Sequence, residues 1–191
     1  ECIPGEKIEM GSQIKVYVSK IDTSGKGMLI LLSRTHYGFL KRLFELEIPE
    51  INEGLVLVYS VAREAGVRTK IAVYSEDSNV DAVGACIGEK GTRIANILRE
   101  LGNEKVDIIP YDKEASKFIE NALSPAKELK VFVTDEKNKE ALVIVNKDNL
   151  SLAIGKKGLN VKLASRLTKH NLDIKTIEQA SEMGINIKDE D

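Results

Sequence analysis

The amino-acid sequence predicts an α+β chain in which one supersecondary unit occurs twice, behind a short β-rich segment. Two observations carry that prediction. The tetrapeptide Gly88-Glu89-Lys90-Gly91 returns as Gly155-Lys156-Lys157-Gly158, each entered from an isoleucine (Ile87, Ile154) and left into a helix-patterned segment. Around both, the patterning runs in the same order: helix, strand, strand, short helix, loop, helix, strand. A repeat of that size marks a unit copied whole, which is stronger than either tetrapeptide alone.

In chain order, Gln13 to Ile21 and Met28 to Ser33 read as two strands joined by the turn-forming Asp22-Thr23-Ser24-Gly25-Lys26-Gly27. Thr35 is a suitable cap for a helix that carries Phe39, Leu40, Leu43, Phe44 and Leu46 on one apolar face and ends at Pro49. Leu55 to Arg63 and Arg68 to Tyr74 form a hairpin about Glu64-Ala65-Gly66. Val80 to Ile87 is a short helix, and Thr92 to Leu101 a helix with Ile94, Ile97, Leu98 and Leu101 on one side. Gly102 stops it and Val106 to Ile109 is a strand. The second copy places a helix from Lys113 to Leu123, strands at Lys130 to Thr134 and Ala141 to Val145, helices from Asp148 to Ile154 and on to Lys169, and a strand from Asp173 to Ile177. Glu178 onward reads as a tail with a small apolar patch at Ile185 and Ile187.

Composition narrows the function classes. The 191 residues carry a net charge of −2, against coating nucleic acid by bulk electrostatics. Binding of that kind has to come from a local patch, and between Asn149 and Leu172 there are Lys156, Lys157, Lys162, Arg166 and Lys169 with no acidic residue. Asp189, Glu190 and Asp191 close the chain with the opposite sign. No apolar run is long enough to span a bilayer and no secretory leader is visible, so the expectation is a soluble, cytoplasmic protein without membrane contact. Cys2 and Cys86 lack Cys-x-x-Cys spacing and neither His36 nor His170 has a partner ligand close in sequence, so neither a metal site nor a cofactor is expected. Cys86 reads as a small buried hydrophobe.

The loops supply the chemistry. A phosphodiester chain needs N–H donors near its oxygens and no bulky side chain in the way, and glycine meets both demands. The helix that follows points its unpaired amides and positive dipole end at the place an anion would occupy. A Gly-x-x-Gly loop between two helices is the clamp of KH domains. In the second copy, Lys156 and Lys157 add two cations, and Lys162, Arg166 and Lys169 continue the charge along one helix face. In the first, Glu89 faces Lys90, and Glu100 and Glu104 offset Arg93, Arg99 and Lys105. The binding set is therefore Gly88, Glu89, Lys90, Gly91 and Arg93, with Val83, Ile87 and Ile94 as an aliphatic groove. Its counterpart is Gly155, Lys156, Lys157, Gly158, Lys162 and Arg166, with Leu152, Ile154 and Val161. The plainer readings are a helix C-cap for the loop, solubility for the cations and core for the aliphatics. Repeat, order and charge placement together favour RNA.

The runs Leu32-Ser33-Arg34-Thr35-His36, Phe44 to Ile51, Arg68 to Val73, Asp81 to Gly88, Asn121 to Lys127 and Leu150 to Gly155 make the chain resemble the RNA-binding part of the NusA family of bacterial transcription termination and antitermination factors. The resemblance implies that residues 1–34 are the C-terminal part of an S1 domain of OB type, 35–110 and 111–178 two KH domains of the bacterial (type II) topology, and 179–191 a tail. It further implies single-stranded nascent RNA as ligand. RNA polymerase contact would run through parts largely absent from these residues, and other transcription factors are possible partners. The S1 portion holds too few strands for a barrel, which leaves its part in RNA binding open.

No catalytic set stands out. Neither loop completes Gly-x-x-x-x-Gly-Lys-Ser/Thr or Gly-x-Gly-x-x-Gly, which opposes a nucleotide-using enzyme. Another KH-domain RNA-binding protein, or a protein-interaction scaffold, without a transcription role is the alternative.

Overall fold

A computed structural model describes residues 1–182; the expected tail residues 183–191, with Ile185 and Ile187, lie outside them. The chain divides into two compact units at Ile108/Ile109.

The first unit opens with Ile3 buried in its core. Strands β1 (Tyr17–Asp22) and β2 (Leu29–Ser33) pair antiparallel, Tyr17 opposite Ser33 and Asp22 opposite Leu29. Helix α1 (Tyr37–Glu47) buries Phe39, Leu40, Leu43 and Phe44. Two expectations about it need correction. Its cap is His36, whose Nδ1 accepts the Gly38 N–H at 3.0 Å, while Thr35 donates its hydroxyl to Glu1 instead. Leu46 is 71% exposed, because that end of the apolar stripe borders an open cleft of about 510 Å³ shared with Lys15, Val16, Tyr17 and Val18.

Pro49 does end α1, and it also begins a one-turn helix α2 (Pro49–Asn52) as its first residue. Strands β3 (Leu57–Glu64) and β4 (Arg68–Tyr74) form the expected hairpin. Gly66, at φ 77°, permits its turn. Helix α3 (Ala82–Ile87) starts on Asp81, whose carboxylate accepts the Gly84 N–H at 2.9 Å. After the loop come α4 (Thr92–Leu101) and β5 (Lys105–Pro110), giving a sheet in the order β3-β4-β5. Ile71 and Val73 from the sheet pack with Leu40, Phe44, Cys86, Ile97 and Leu101 from the helices. Burial pushes the Cys86 thiol up to about 12, so it stays protonated and unreactive.

The second unit repeats the plan: α5 (Ala115–Ala122), β6 (Lys130–Asp135), β7 (Glu140–Val145), α6 (Lys147–Ile154), α7 (Leu159–Thr168) and β8 (Asn171–Thr176). β7 lies in the middle, antiparallel to β6 and parallel to β8, and its residues Ala141 to Val145 are all buried. An unbroken apolar run is what a strand covered on both faces requires.

The chain does not pass straight into a tail. A last helix α8 (Ile177–Glu182) follows β8 and buries Ala180 against Leu142 and Ile144. It begins with a capping box, in which the Thr176 N–H donates to Gln179 Oε1 at 3.0 Å and the Gln179 N–H to Thr176 Oγ1 at 3.3 Å.

Candidate nucleic-acid interface

Each loop joins a short helix to a longer one through the same backbone. Gly88, Lys90 and Gly91 sit at φ/ψ of 75/170°, 52/24° and 75/18°; Gly155, Lys157 and Gly158 at 76/171°, 55/29° and 73/14°. The closing bonds match as well: Gly88 N–H to the Gly84 carbonyl and Gly155 N–H to the Ser151 carbonyl, both 2.9 Å, and Gly91 to Gly88 at 3.0 Å against Gly158 to Gly155 at 3.1 Å. Two different sequences, Glu-Lys and Lys-Lys, therefore meet one conformational demand. Positive φ at three of the four loop positions explains why glycine stands at two of them.

The two glycines of a loop have different surroundings. A Cβ at Gly88 would meet Arg93 Cγ at 2.6 Å, and one at Gly155 would meet Asn160 Cβ at 2.7 Å; at Gly91 the nearest atom is 4.0 Å away and at Gly158 nothing lies within 4 Å. The first glycine lets the two helices touch, and the second leaves open space. Gly91 and Gly158 are also the caps of α4 and α7 and make no side-chain capping bond to the first amides of those helices. A helix start of that kind suits an anion.

Among the expected cations, Lys156, Lys157, Lys162 and Arg166 are exposed, the last two one turn apart on α7. Lys169 does not continue the helix face, because it is the left-handed C-cap of α7 at φ 58°. Glu89 and Lys90 are exposed on the first loop. Glu100 and Glu104 do not offset the charges of α4, since each is committed elsewhere. Glu100 takes Arg34 at 2.8 Å, and Glu104 is buried against Arg63, Thr69 and the Gly66 N–H. Besides Glu89 on the loop itself, a carboxylate from outside it, Glu50, lies 2.7 Å from Arg93. Its own backbone N–H, and then Arg93, hold its carboxyl below the usual range.

The aliphatic candidates lie at the margin of the core. Val83, Ile94, Ile154 and Val161 are half-buried and Ile87 and Leu152 exposed, while their neighbours Cys86, Ile97, Ala153, Leu163 and Ala164 fill the interior. Val83 and Ile94 rest against the first unit's core and keep part of their surface outside it.

Sequence reasoning missed Glu50 and Asn160. Arg93 and Asn160 hold the same place, second in the helix after each loop. Arg93 donates to the Ala85 carbonyl at 2.6 Å as well as to Glu50. Asn160 is buried, and its amide nitrogen lies 3.0, 3.1 and 3.0 Å from the carbonyls of Leu123, Leu152 and Ala153, which share its two N–H groups. An asparagine inside the first turn of a helix, against propensity, was the available signal.

Compared with known proteins, residues 34–111 match the NusA-like first KH domain and residues 115–182 the NusA-like second KH domain. The chain belongs to the NusA family. Each of the two KH matches encloses one loop. Relatives named transcription termination/antitermination protein NusA include those of Halalkalibacterium halodurans, 49% identical over 97% of this chain and 48% of its own length, and Bacillus subtilis, 49% identical over 97% and 50%. The Thermus thermophilus NusA is 49% identical over 93% of this chain and 46% of its own. The chain thus spans about half the length of these NusA proteins. The solved structure of APE1850 resembles it in fold, with a TM-score of 0.51 at 23% identity over 72% of this chain and 95% of that one.

Proposed function

We propose that this stretch is the single-stranded RNA-binding part of a bacterial transcription elongation factor, holding nascent transcript and thereby acting on pausing, termination and antitermination. The observation that carries the reading is the doubled loop: one backbone built twice from different residues, with positive φ and an open outer glycine each time. Gly88 to Gly91 and Gly155 to Gly158 clamp the phosphodiester chain. Lys156, Lys157, Lys162 and Arg166 supply most of the electrostatic grip, and Val83, Ile87, Ile94, Leu152, Ile154 and Val161 carry bases by aliphatic contact. Each loop engages about four nucleotides, and linking two weak sites raises the affinity for a longer strand through effective concentration.

The domain division proposed with it is an S1 portion at 1–34 and KH domains at 35–110 and 111–178, the second running directly into α8. Leu29 to Leu32 are exposed on both faces of β2, as suits a strand that belongs to a larger barrel. Polymerase contact falls largely to other parts of the whole protein, and other transcription factors are further proposed partners. Among the described residues no helix is long and apolar enough to cross a membrane, and the proposed place of action is the cytoplasm. The chain is proposed to be non-catalytic; nucleotide turnover by the pure protein with magnesium should be nil.

Titration with A-rich, U-rich and C-rich single strands against a duplex control tests the reading. Single strands should bind and duplex should not; preference for duplex ends the groove mechanism. Changing Lys156→Asp and Lys157→Asp together should weaken binding roughly tenfold or more at low salt. The slope of log affinity against log salt should also flatten, by about 0.7 for each phosphate that the variant no longer neutralises. Unchanged affinity with an intact circular dichroism spectrum would favour a scaffold.

A further inference from the structure

We infer that Arg93 and Asn160 are the positioning residues of the two loops: each bonds back across its loop to the last turn of the preceding helix and holds the Gly-x-x-Gly backbone in its binding shape. A helix ends with carbonyls that have no partner inside it. In α3 the Gly84 carbonyl is taken by the Gly88 N–H and the next one, Ala85, by Arg93 at 2.6 Å. In α6 the Ser151 carbonyl is taken by the Gly155 N–H and the next two, Leu152 and Ala153, by Asn160 at 3.1 and 3.0 Å. The same side chains are what a Cβ on the first glycine would strike, at 2.6 Å for Arg93 and 2.7 Å for Asn160. Glycine and clamp are thus one device: the missing Cβ admits the side chain that fastens the helices.

The two clamps differ in charge. Arg93 is cationic and half exposed, and Glu50 at 2.7 Å neutralises it, so this guanidinium adds little to the field over the first loop. Asn160 is neutral and buried, with its two amide N–H groups shared among three carbonyls and an Oδ1 that has no partner among the described residues. It fixes the second loop without bringing a carboxylate near Lys156 and Lys157. This assignment rests on the RNA-binding reading and moves Arg93 from a phosphate ligand to a support.

Arg93→Met and Arg93→Lys in the whole chain test it, because the site is partly exposed and both changes keep the aliphatic stem. Amide NMR follows the loop directly, through the heteronuclear NOE of Lys90 and Gly91 in the free protein and the midpoint of their shifts on adding a short single-stranded RNA. Arg93→Met should lower the loop NOE and raise the midpoint about tenfold, the effect of leaving one partly buried acceptor unpaired. Arg93→Lys, which keeps a donor near the Ala85 carbonyl and a charge for Glu50, should restore both and melt near the parent, whereas Arg93→Met should melt a few degrees lower and still be folded at the temperature of the titration. A Met variant with parental loop order overturns the proposal. So does loss of RNA binding in both variants with loop order intact, since the guanidinium would then be touching phosphate itself. If the parent binds no RNA, the functional reading fails while the NOE comparison still decides the clamp.

Discussion

A methyl group at Gly155 would lie 2.7 Å from Asn160 Cβ and 2.8 Å from its backbone nitrogen, whereas one at Gly158 would meet nothing within 4 Å. Their backbones differ in the same sense. Gly155, at φ/ψ 76/171°, occupies a region that is essentially glycine's alone, and Gly158, at 73/14°, occupies the left-handed region that other residues reach at modest cost. Gly155→Ala should therefore destabilise the second unit by about 3 kcal/mol or more and Gly158→Ala by about 1 kcal/mol. Urea unfolding followed by circular dichroism separates the two. RNA titration should rank them the other way relative to their destabilisation, because the Gly158 methyl would stand in the space proposed for the phosphate. Equal urea midpoints for the two variants would contradict the packing argument.

At the scale of elements, the first unit is pinned by a buried acid. Glu104, just before β5, accepts Arg63 Nε at 2.8 Å and Nη2 at 2.9 Å, Thr69 Oγ1 at 2.6 Å and the Gly66 N–H at 2.9 Å, while Arg63 also donates to the His36 carbonyl at 2.9 Å. One carboxylate thereby joins β3, its turn, β4 and the cap of α1. Removing one partner strands the other charge in the interior. Glu104→Ala should cost about 3–5 kcal/mol, and the double change Arg63→Met with Glu104→Leu appreciably less; thermal melts of the three proteins make the comparison. At the other end of the chain, Thr176→Ala removes the hydroxyl half of the α8 capping box and should cost about 1 kcal/mol, visible as faster amide exchange in Ile177–Glu182 before any other segment responds.

What the sequence discloses at this scale depends on how far apart the partners lie. Helix α4 falls at Thr92–Leu101 as its own periodicity and the following Gly102 require, and both loops are legible because their demand is local. The α8 start is spelled in Thr176-Ile177-Glu178-Gln179 yet reads as tail, since an apolar face of one alanine gives no periodicity to find. The clamps are another matter. Their bonds to the preceding helix span only eight and seven positions, but they depend on the loop bringing two helices together, and the further partners, Glu50 for Arg93 and Leu123 for Asn160, lie 43 and 37 positions away, so no periodicity announces either clamp. The exposure of Leu46 is of the same kind, set by a cleft whose other wall is Lys15 to Val18.

For the molecule as a whole, charge is balanced in number and uneven in place. A net charge of −2 coexists with an acid-free segment around the second loop, so salt should act on RNA affinity far more than on folding. Acid should do the reverse. Burial raises the Glu104 carboxyl, and Arg63, Thr69 and the Gly66 amide outweigh that, leaving it below its ordinary value of 4.5. At the surface Lys147, ahead of backbone and Thr176 bonds, brings Glu178 down to about 2. A carboxylate depressed in the folded state binds its proton more readily when unfolded. Its contribution is therefore fully present above the unfolded value and is lost as pH falls through the folded one. Urea-derived stability should accordingly be level near neutrality and decline below about pH 5. Glu104→Gln, with no proton to bind at that position in either state, should start lower at pH 7 and decline less steeply in acid. Parallel slopes for parent and variant below pH 5 would mean that this buried acid is not the group that acid attacks, and that carboxylates nearer the surface, the half-buried Glu50 and the exposed Glu178 among them, govern the transition instead.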